Sequence, residues 1–427
     1  MRRRLAVAGA AVAGLLFTAA SPAEPGQPFG FRLSRGLDKA RYDTTTIHWL
    51  RDGRGAGQLR IRDSIYSSVV GHHGRFVVLG GDRLRFVDLV SRRLAFAAPI
   101  PFGTVDAGCL IEPLVWTESD RIIAYVWCGW THGSFYARLL TYDLHRRRVV
   151  VSRRIGYQRS GPVRGPDGSV ALLVSPPLVP VNRKYAIPPE TIGAARLIRI
   201  DADGTTHVVR LRIRMGNNNA RTFGRSPGFT ADERGHAYVV AEGDGAAEID
   251  LRTLRVRYHR LRHAFDARPR KLAPAPVPHE GTNNPSRDLS RVAVWLGDNL
   301  VAVSGWDSWT DGQTDQDLEA GLKVLDVRTW RVRSVDPSIR ELRFTHRFML
   351  GTGRHAGLRV FDRHGRPVRR YFPGRWVWIS GVLGDRVRAS VPWGYVSRDF
   401  KGVAPTRIYD IKLDTGRVRL VRRYGGG

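Results

Sequence analysis

Cysteine is nearly absent from this sequence: Cys109 and Cys128 are the only two in 427 residues. Neither falls in a CxxC pair or a Cys/His cluster of zinc spacing, which excludes the usual structural zinc frameworks. Helical periodicity is missing as well. No window of ten or more residues repeats its apolar positions at 3.6, and this argues against α/β folds. Catalytic signatures are equally scarce: the chain has no GxSxG elbow, no HExxH, no Walker loop and no dinucleotide fingerprint between a strand and a helix. Past residue 20 no apolar run is long enough to span a bilayer, so no transmembrane segment is expected there. Acidic residues are outnumbered, 39 against 69 basic ones, for a formal charge of +30, and only six of the basic residues are lysine. Such a surplus suits anionic partners, among them phosphate-bearing envelope polymers, acidic lipid surfaces and nucleic acid. No specific nucleic-acid motif accompanies it, and an arginine-rich composition on a solvated surface is the plain alternative.

What is present begins with Arg2, Arg3 and Arg4, an apolar run over 5–20, and Ser21-Pro22-Ala23, whose small residues at alternate positions suit signal peptidase. Residues 1–23 are therefore expected to be a signal peptide. The mature protein would start near Glu24 and be secreted or extracytoplasmic. No cysteine lies near the cleavage region, which argues against lipid anchoring. Residues 24–43, rich in Pro and Gly, read as a linker, 44–424 as a single domain, and 425–427 as a flexible tail.

One stretch organises that domain. Residues 321–332, GLKVLDVRTWRV, read as an alternating strand, an Asp, a tight polar turn and a second alternating strand. Variants recur at Asp88, Asp143, Asp201, Asp250, Asp362 and Asp414, making seven copies with Asp326, spaced 36 to 76 residues apart. Repetition at this scale means an array of equivalent modules. Extended backwards, each copy yields four short strands, with 65–70, 75–79, 84–88 and 93–97 in the first and 110–116, 122–128, 136–143 and 148–153 in the second. Apolar residues on both strand faces suit sheets covered on both sides. The seven aspartates are expected to be structural, each accepting from a backbone N–H in the turn it starts.

This pattern resembles the broad WD40-like and quinoprotein-like (YVTN-type) class of propellers. The resemblance implies an all-β fold, a seven-bladed β-propeller of four-stranded antiparallel blades over residues 44–424. The Trp-Asp ending of true WD40 blades is missing from the repeats, because Trp306-Asp307 falls between strands, so a eukaryotic scaffold role does not carry over. Two further strands, 44–50 and 58–62, precede the first repeat and have no assigned place in the ring.

The cysteines flank a hairpin with its turn at 117–120. If Trp116 pairs with Arg121, paired positions sum to 237, and so do 109 and 128. The two sulfurs would then face each other on adjacent strands at a separation compatible with a disulfide, which an exported protein would keep. Pro113 could introduce a bulge that shifts this register.

Propellers of this class gather two sets of loops on one face: those between the second and third strands of a blade, and those between blades. The long insertions fall there, at 129–134, 175–194, 305–320 and 392–405, and at 215–228 and 264–288. Long loops on one face of a rigid scaffold are the usual address for binding. Trp130, His132, Trp306, Asp307, Trp309, Trp393 and Tyr395 are the candidate ligand-binding residues, aromatics with polar neighbours that could stack on sugars, bases or peptide side chains. Asp311, Asp315, Asp317 and Glu319 offer oxygen ligands that could hold Ca²⁺, although the order is not that of an EF-hand; no other cofactor is expected. Arginines concentrate in the expected outermost strands, at Arg146, Arg147, Arg148, Arg153 and Arg154, at Arg210, Arg212 and Arg214, at Arg255, Arg257, Arg260 and Arg262, and at Arg417, Arg419, Arg422 and Arg423. There they discourage edge-to-edge aggregation and could dock the protein on an anionic surface. The sequence favours an exported, non-catalytic binding scaffold for an unknown protein or envelope polymer. The alternative is an extracellular hydrolase or lyase on a carbohydrate or lactone, drawing on His132, His279, Glu280 and Asp307 in the funnel.

Overall fold

A computed structural model describes residues 30–37, 43–51, 54–61, 65, 67–70, 75–99, 109–117, 119–128, 136–156, 159–177, 192–218, 223–261, 263–267, 286–310, 315–345, 347–392 and 406–424. Among these residues every regular element is a strand, and no helix is long and apolar enough to cross a membrane. The chain begins with β1 (Gly30–Leu37), β2 (Asp43–Arg51) and β3 (Arg54–Ile61), an antiparallel three-stranded sheet. β1 lies inside the stretch expected as a linker. Next come β4 (Ser67–Val70), β5 (Phe76–Gly80), β6 (Arg83–Asp88) and β7 (Arg93–Pro99), then β8 (Cys109–Trp116), β9 (Arg121–Cys128), β10 (Tyr136–Asp143) and β11 (Arg148–Ile155), each set a four-stranded antiparallel meander.

The middle of the chain departs from that plan. β12 (Arg159–Arg164), β13 (Val170–Val174), β14 (Gly193–Ile200) and β15 (Thr206–Asn218) form a meander, but β15 runs on for 13 residues and pairs with β16 (Phe223–Ser226). After β17 (Gly228–Ala231), β18 (His236–Ala241), β19 (Gly245–Asp250) and β20 (Val256–His259), a separate sheet, come β21 (Ser286–Gly297), β22 (Leu300–Thr310), β23 (Asp315–Glu319), β24 (Leu322–Asp326) and β25 (Arg331–Asp336). β16 pairs in parallel with β21, joining two stretches into one ten-stranded sheet. The last two meanders are β26 (Glu341–Phe344), β27 (Met349–Gly353), β28 (Gly357–Phe361) and β29 (Pro367–Tyr371), and β30 (Trp378–Leu383), β31 (Arg386–Pro392), β32 (Thr406–Lys412) and β33 (Val418–Tyr424).

The protein is thus an all-β propeller with four-stranded antiparallel blades, and the expected blade count is corrected. Among the described residues, five separate four-stranded blades stand where seven were expected. The reason is the insertion at 215–228, which extends β15 and supplies β16, so that backbone pairing continues where the sequence suggested a break.

Packing follows chain order. One apolar cluster lies between each sheet and the next: Val78, Phe86, Ile111 and Ile122 between the β4–β7 and β8–β11 sheets, and Tyr238, Phe265, Val301 and Leu325 between β17–β20 and the strands from β21. The first strands of neighbouring sheets touch, β4 on β8, β12 on β17 and β17 on β21. Central strands bury both faces, as in Val170–Val174, where every residue is buried. The N-terminal sheet packs Ile47, Trp49 and Ile61 onto Val77, Leu79 and Val87 of the first blade.

Six of the seven repeated aspartates cap their turns as expected. Asp88 accepts from Val90 and Ser91, Asp143 from Arg146, Asp250 from Arg252 and Thr253, Asp326 from Arg328 and Thr329, Asp362 from His364 and Arg366, and Asp414 from Thr415, all through backbone N–H groups. Asp201 instead meets Arg199 Nε at 3.0 Å and His207 Nε2 at 2.8 Å.

Cys109 stands opposite Cys128 in the β8–β9 register. The turn is one residue away from the simple count, because Trp116 pairs with Ile122; a bulge between Pro113 and Val115 restores the register before the cysteines.

Candidate functional site

The loop-rich ends of β18, β21 and β22 bring together charges that are far apart in sequence. β21 and β22 pair at eleven positions, which puts Arg291 opposite Gly305, two positions from Asp307. Gly305 is required there: its φ is 153°, and a Cβ would stand 1.9 Å from the Ser290 carbonyl oxygen. The Arg291 guanidinium is 1 % exposed and donates from Nη1 to Asp307 Oδ1 at 2.7 Å. Nε donates to the Phe265 carbonyl at 2.7 Å, and Nη1 also reaches the Ser290 and Trp306 carbonyls at 2.8 and 3.2 Å. One arginine therefore ties β21 and β22 to the segment 263–267 leading out of the previous blade.

Around this anchor lies a ring of carboxylates. The turn Glu242-Gly243-Asp244 joins β18 to β19, and Asp266 accepts from the Gly243 N–H at 3.2 Å while its other oxygen meets His263 Nδ1 at 2.6 Å. Lys323 Nζ donates to the Asp266 carbonyl at 2.9 Å. Arg225, from β16, faces both Glu242 Oε2 at 3.4 Å and Asp244 Oδ2 at 3.5 Å. Asp244 also accepts from the Arg214 N–H at 2.8 Å. Among the described residues no hydrogen bond reaches Glu242 Oε2, which is buried. Burial pushes the Glu242 carboxyl above its ordinary pKa; Arg225 and Arg291 oppose the shift, while Asp266 and Asp307 add to it. Glu242 therefore combines a raised pKa with a buried oxygen that accepts no hydrogen bond. A cation or a hydrogen-bond acceptor would favour different protonation states of the same carboxyl.

The expected site residues are distributed unevenly. Trp306, Asp307 and Trp309 lie on β22, not in a loop, because the insertion at 305–320 continues the strand to Thr310 and returns as β23. Asp307 is 5 % exposed and committed to Arg291. Trp306 is half-buried beneath the Arg340 guanidinium, 4.9 Å from its ring centroid. Asp315, Asp317 and Glu319 occupy alternate positions of β23, and Glu319 Oε1 accepts from the Arg354 N–H at 3.2 Å. Among the described residues no three His, Cys, Asp or Glu side chains come together as a metal site. Trp130, His132, Asp311, Trp393, Tyr395, His279 and Glu280 lie outside the described residues. Arg225, Glu242, Asp266 and Arg291 were missed in the sequence. Each sits singly in an ordinary strand or turn, and only the pairing of β16 with β21 and of β21 with β22 assembles them.

No protein-family model matches the chain, and no curated protein does. Solved structures do. A dihydro-heme d1 dehydrogenase, NirN, is 11 % identical with a TM-score of 0.52, over 95 % of this chain and 75 % of that one. BamB from Moraxella catarrhalis is 13 % identical with a TM-score of 0.45, over 88 % and 96 % of the two chains. The propeller domain of the trilobed protease from Pyrococcus furiosus is 10 % identical with a TM-score of 0.39, over 96 % and 99 %. At such identities the likeness to the first concerns the fold alone.

Proposed function

We propose that the protein is an exported, non-catalytic binding scaffold that takes a ligand or partner at its loop-rich face, over the cluster of Arg225, Glu242, Asp266 and the Arg291–Asp307 pair. The observation that carries this reading is the contrast within the cluster. Asp244, Asp266 and Asp307 are each engaged by nearby donors, whereas Glu242 has a buried oxygen without a hydrogen bond and a raised pKa. Rigid neutralised charges around one responsive carboxyl suit recognition, and no paired acid and base is needed to account for them.

The test is a thermal-shift screen of the mature protein against Ca²⁺, envelope polysaccharides, acidic polymers and common cofactors. A ligand at 100 times its Kd stabilises the folded state by about 2.7 kcal/mol. The expected result is a shift that Glu242→Gln abolishes while leaving the unliganded Tm unchanged. A hit that Glu242→Gln does not affect would move the site elsewhere.

Glu242 also supports a second reading, the hydrolase or lyase, because a buried carboxyl with a raised pKa is suited to act as a general acid. Turnover of a glycoside or lactone panel that disappears in Glu242→Gln would select it over the scaffold.

Export rests on the N-terminal residues and on the opposed cysteines. A disulfide between Cys109 and Cys128 belongs to this reading. Mass spectrometry of unreduced peptides should show the two cysteines cross-linked, and two free thiols would remove the bond.

A further inference from the structure

Between β29 and β30 the chain makes a tight turn, with Pro373 and Gly374 at its centre and the Arg375 N–H bonded to the Phe372 carbonyl at 3.2 Å. Gly374 has φ 74°, the left-handed value that the third residue of a type II turn requires. The turn lies against its neighbour in the same blade: the Gly357 N–H donates to the Arg375 carbonyl at 3.1 Å, and a Cβ on Gly357 would stand 2.4 Å from the Tyr371 carbonyl oxygen. The segment leaving it is therefore fixed in place.

That segment is extended, and its alternation decides what it presents. Val377 is completely buried in the cluster between the last two blades. Trp376 and Trp378 must then point the other way, and they are 40 % and 41 % exposed. Their ring centroids lie 5.1 Å apart with the planes tilted by 37°. Apolar surface left in water forgoes about 25 cal/mol per Å² of burial, so two adjacent indoles are a costly thing to expose. The turn is at the end of the blade that carries Arg354, whose N–H bonds Glu319 of β23; the platform therefore shares the loop-rich face with the charge cluster. Arg354 and Arg375 are both exposed, in the two turns that the Gly357–Arg375 bond joins.

We propose that Trp376 and Trp378 form a stacking platform for an acidic polysaccharide, with Arg354 and Arg375 attracting its carboxylates. The apolar face of a pyranose ring needs one open aromatic face, and a tilted pair suits a chain whose successive rings twist. A nucleobase could stack on an open indole face as well; the export reading puts polysaccharide rather than nucleic acid within reach, and poly(dT) tests the alternative. The charge of +30 favours an anionic polymer over a neutral one. The proposal rests on the binding reading for the choice of face but makes no use of Glu242.

The experiment is a titration of the full chain with polygalacturonate, dextran, polyphosphate and poly(dT), read by intrinsic tryptophan fluorescence and by affinity electrophoresis. Polygalacturonate should bind and quench. Trp376→Ala with Trp378→Ala should weaken it at least tenfold, and Arg354→Gln with Arg375→Gln should remove most of its salt dependence. The charge cluster is read separately, by the thermal shift that Glu242→Gln abolishes, so a failed charge cluster and a failed platform give different results. If the alanine pair does not fold, Trp376→Phe with Trp378→Phe keeps an aromatic face and should retain binding within about threefold while losing the quench. The proposal is overturned if polygalacturonate fails to bind, if polyphosphate or poly(dT) binds as tightly and ignores the tryptophan variants, or if the platform proves to hold a second copy of the chain, seen as a dimer that the alanine pair dissolves.

Discussion

Arg291→Met should destabilise the protein by about 3–5 kcal/mol, because it leaves a buried carboxylate without its counter-charge. The loss extends beyond one ion pair. The guanidinium also satisfies the carbonyls of Phe265, Ser290 and Trp306, and a methionine offers none of these bonds. Asp307→Leu alone should cost nearly as much, since it strands an arginine that is 1 % exposed. The double variant separates charge from backbone. With both partners apolar the charge penalty disappears, and what remains is the three carbonyls, each costing about 1–3 kcal/mol if left unsatisfied. Urea midpoints for the two single variants and the double one give the coupling directly. If the three losses simply add, the pair is not coupled and the anchor described for the loop-rich face is wrong.

How far that anchor was legible in the sequence depends on what each signal encodes. The Asp-turn encodes itself locally, since the carboxylate and the N–H groups it accepts from are one to four residues apart, and the turns at Asp88, Asp250, Asp326 and Asp362 follow from composition alone. Strand limits were readable for the same reason, with β10 (Tyr136–Asp143) found where alternation put it. The joining of blades was not readable. Residues 215–228 contain Gly216, three asparagines and Pro227, a loop composition, yet their outer parts are held as strand by the non-local pairing of β15, β16 and β21. The site suffered the same way. Asp307 was singled out for its neighbour Trp306, while its actual partner, Arg291, lies 16 positions earlier and is specified only by the β21–β22 register. Trp376 and Trp378 did carry a local signal. They flank an apolar residue at period two beside a Pro-Gly turn, a pattern that marks one of the two faces as outward.

Asp232→Ala should cost about 3 kcal/mol at neutral pH, the scale for a buried carboxylate that holds several donors at once. Its side chain is fully buried in the turn from β17 to β18. It accepts from the Arg234 and His236 N–H groups at 3.0 and 2.8 Å, from Arg234 Nε at 3.1 Å and from the Tyr238 hydroxyl at 3.1 Å. Burial disfavours its charge, but these donors and the nearby His236 outweigh that and hold its pKa below the usual carboxylate value. The sign of the pH dependence follows. A carboxyl whose folded pKa is depressed contributes its stability above the unfolded value, about 3.9 for Asp, and loses it as pH falls through the folded one. The gap in Tm between wild type and Asp232→Ala should therefore be constant from pH 7 to about 5 and narrow below about 4. Part of the gap persists in acid, because Tyr238 and the turn lose an acceptor whatever the charge. Asp88, Asp250 and Asp326, whose pKa values are lowered against burial by their own turn N–H groups, should make the wild type fall off over the same range. A gap that stays the same width down to pH 3 would mean that Asp232 is not held as a carboxylate, and the turn would have to be explained by its neutral hydrogen bonds alone.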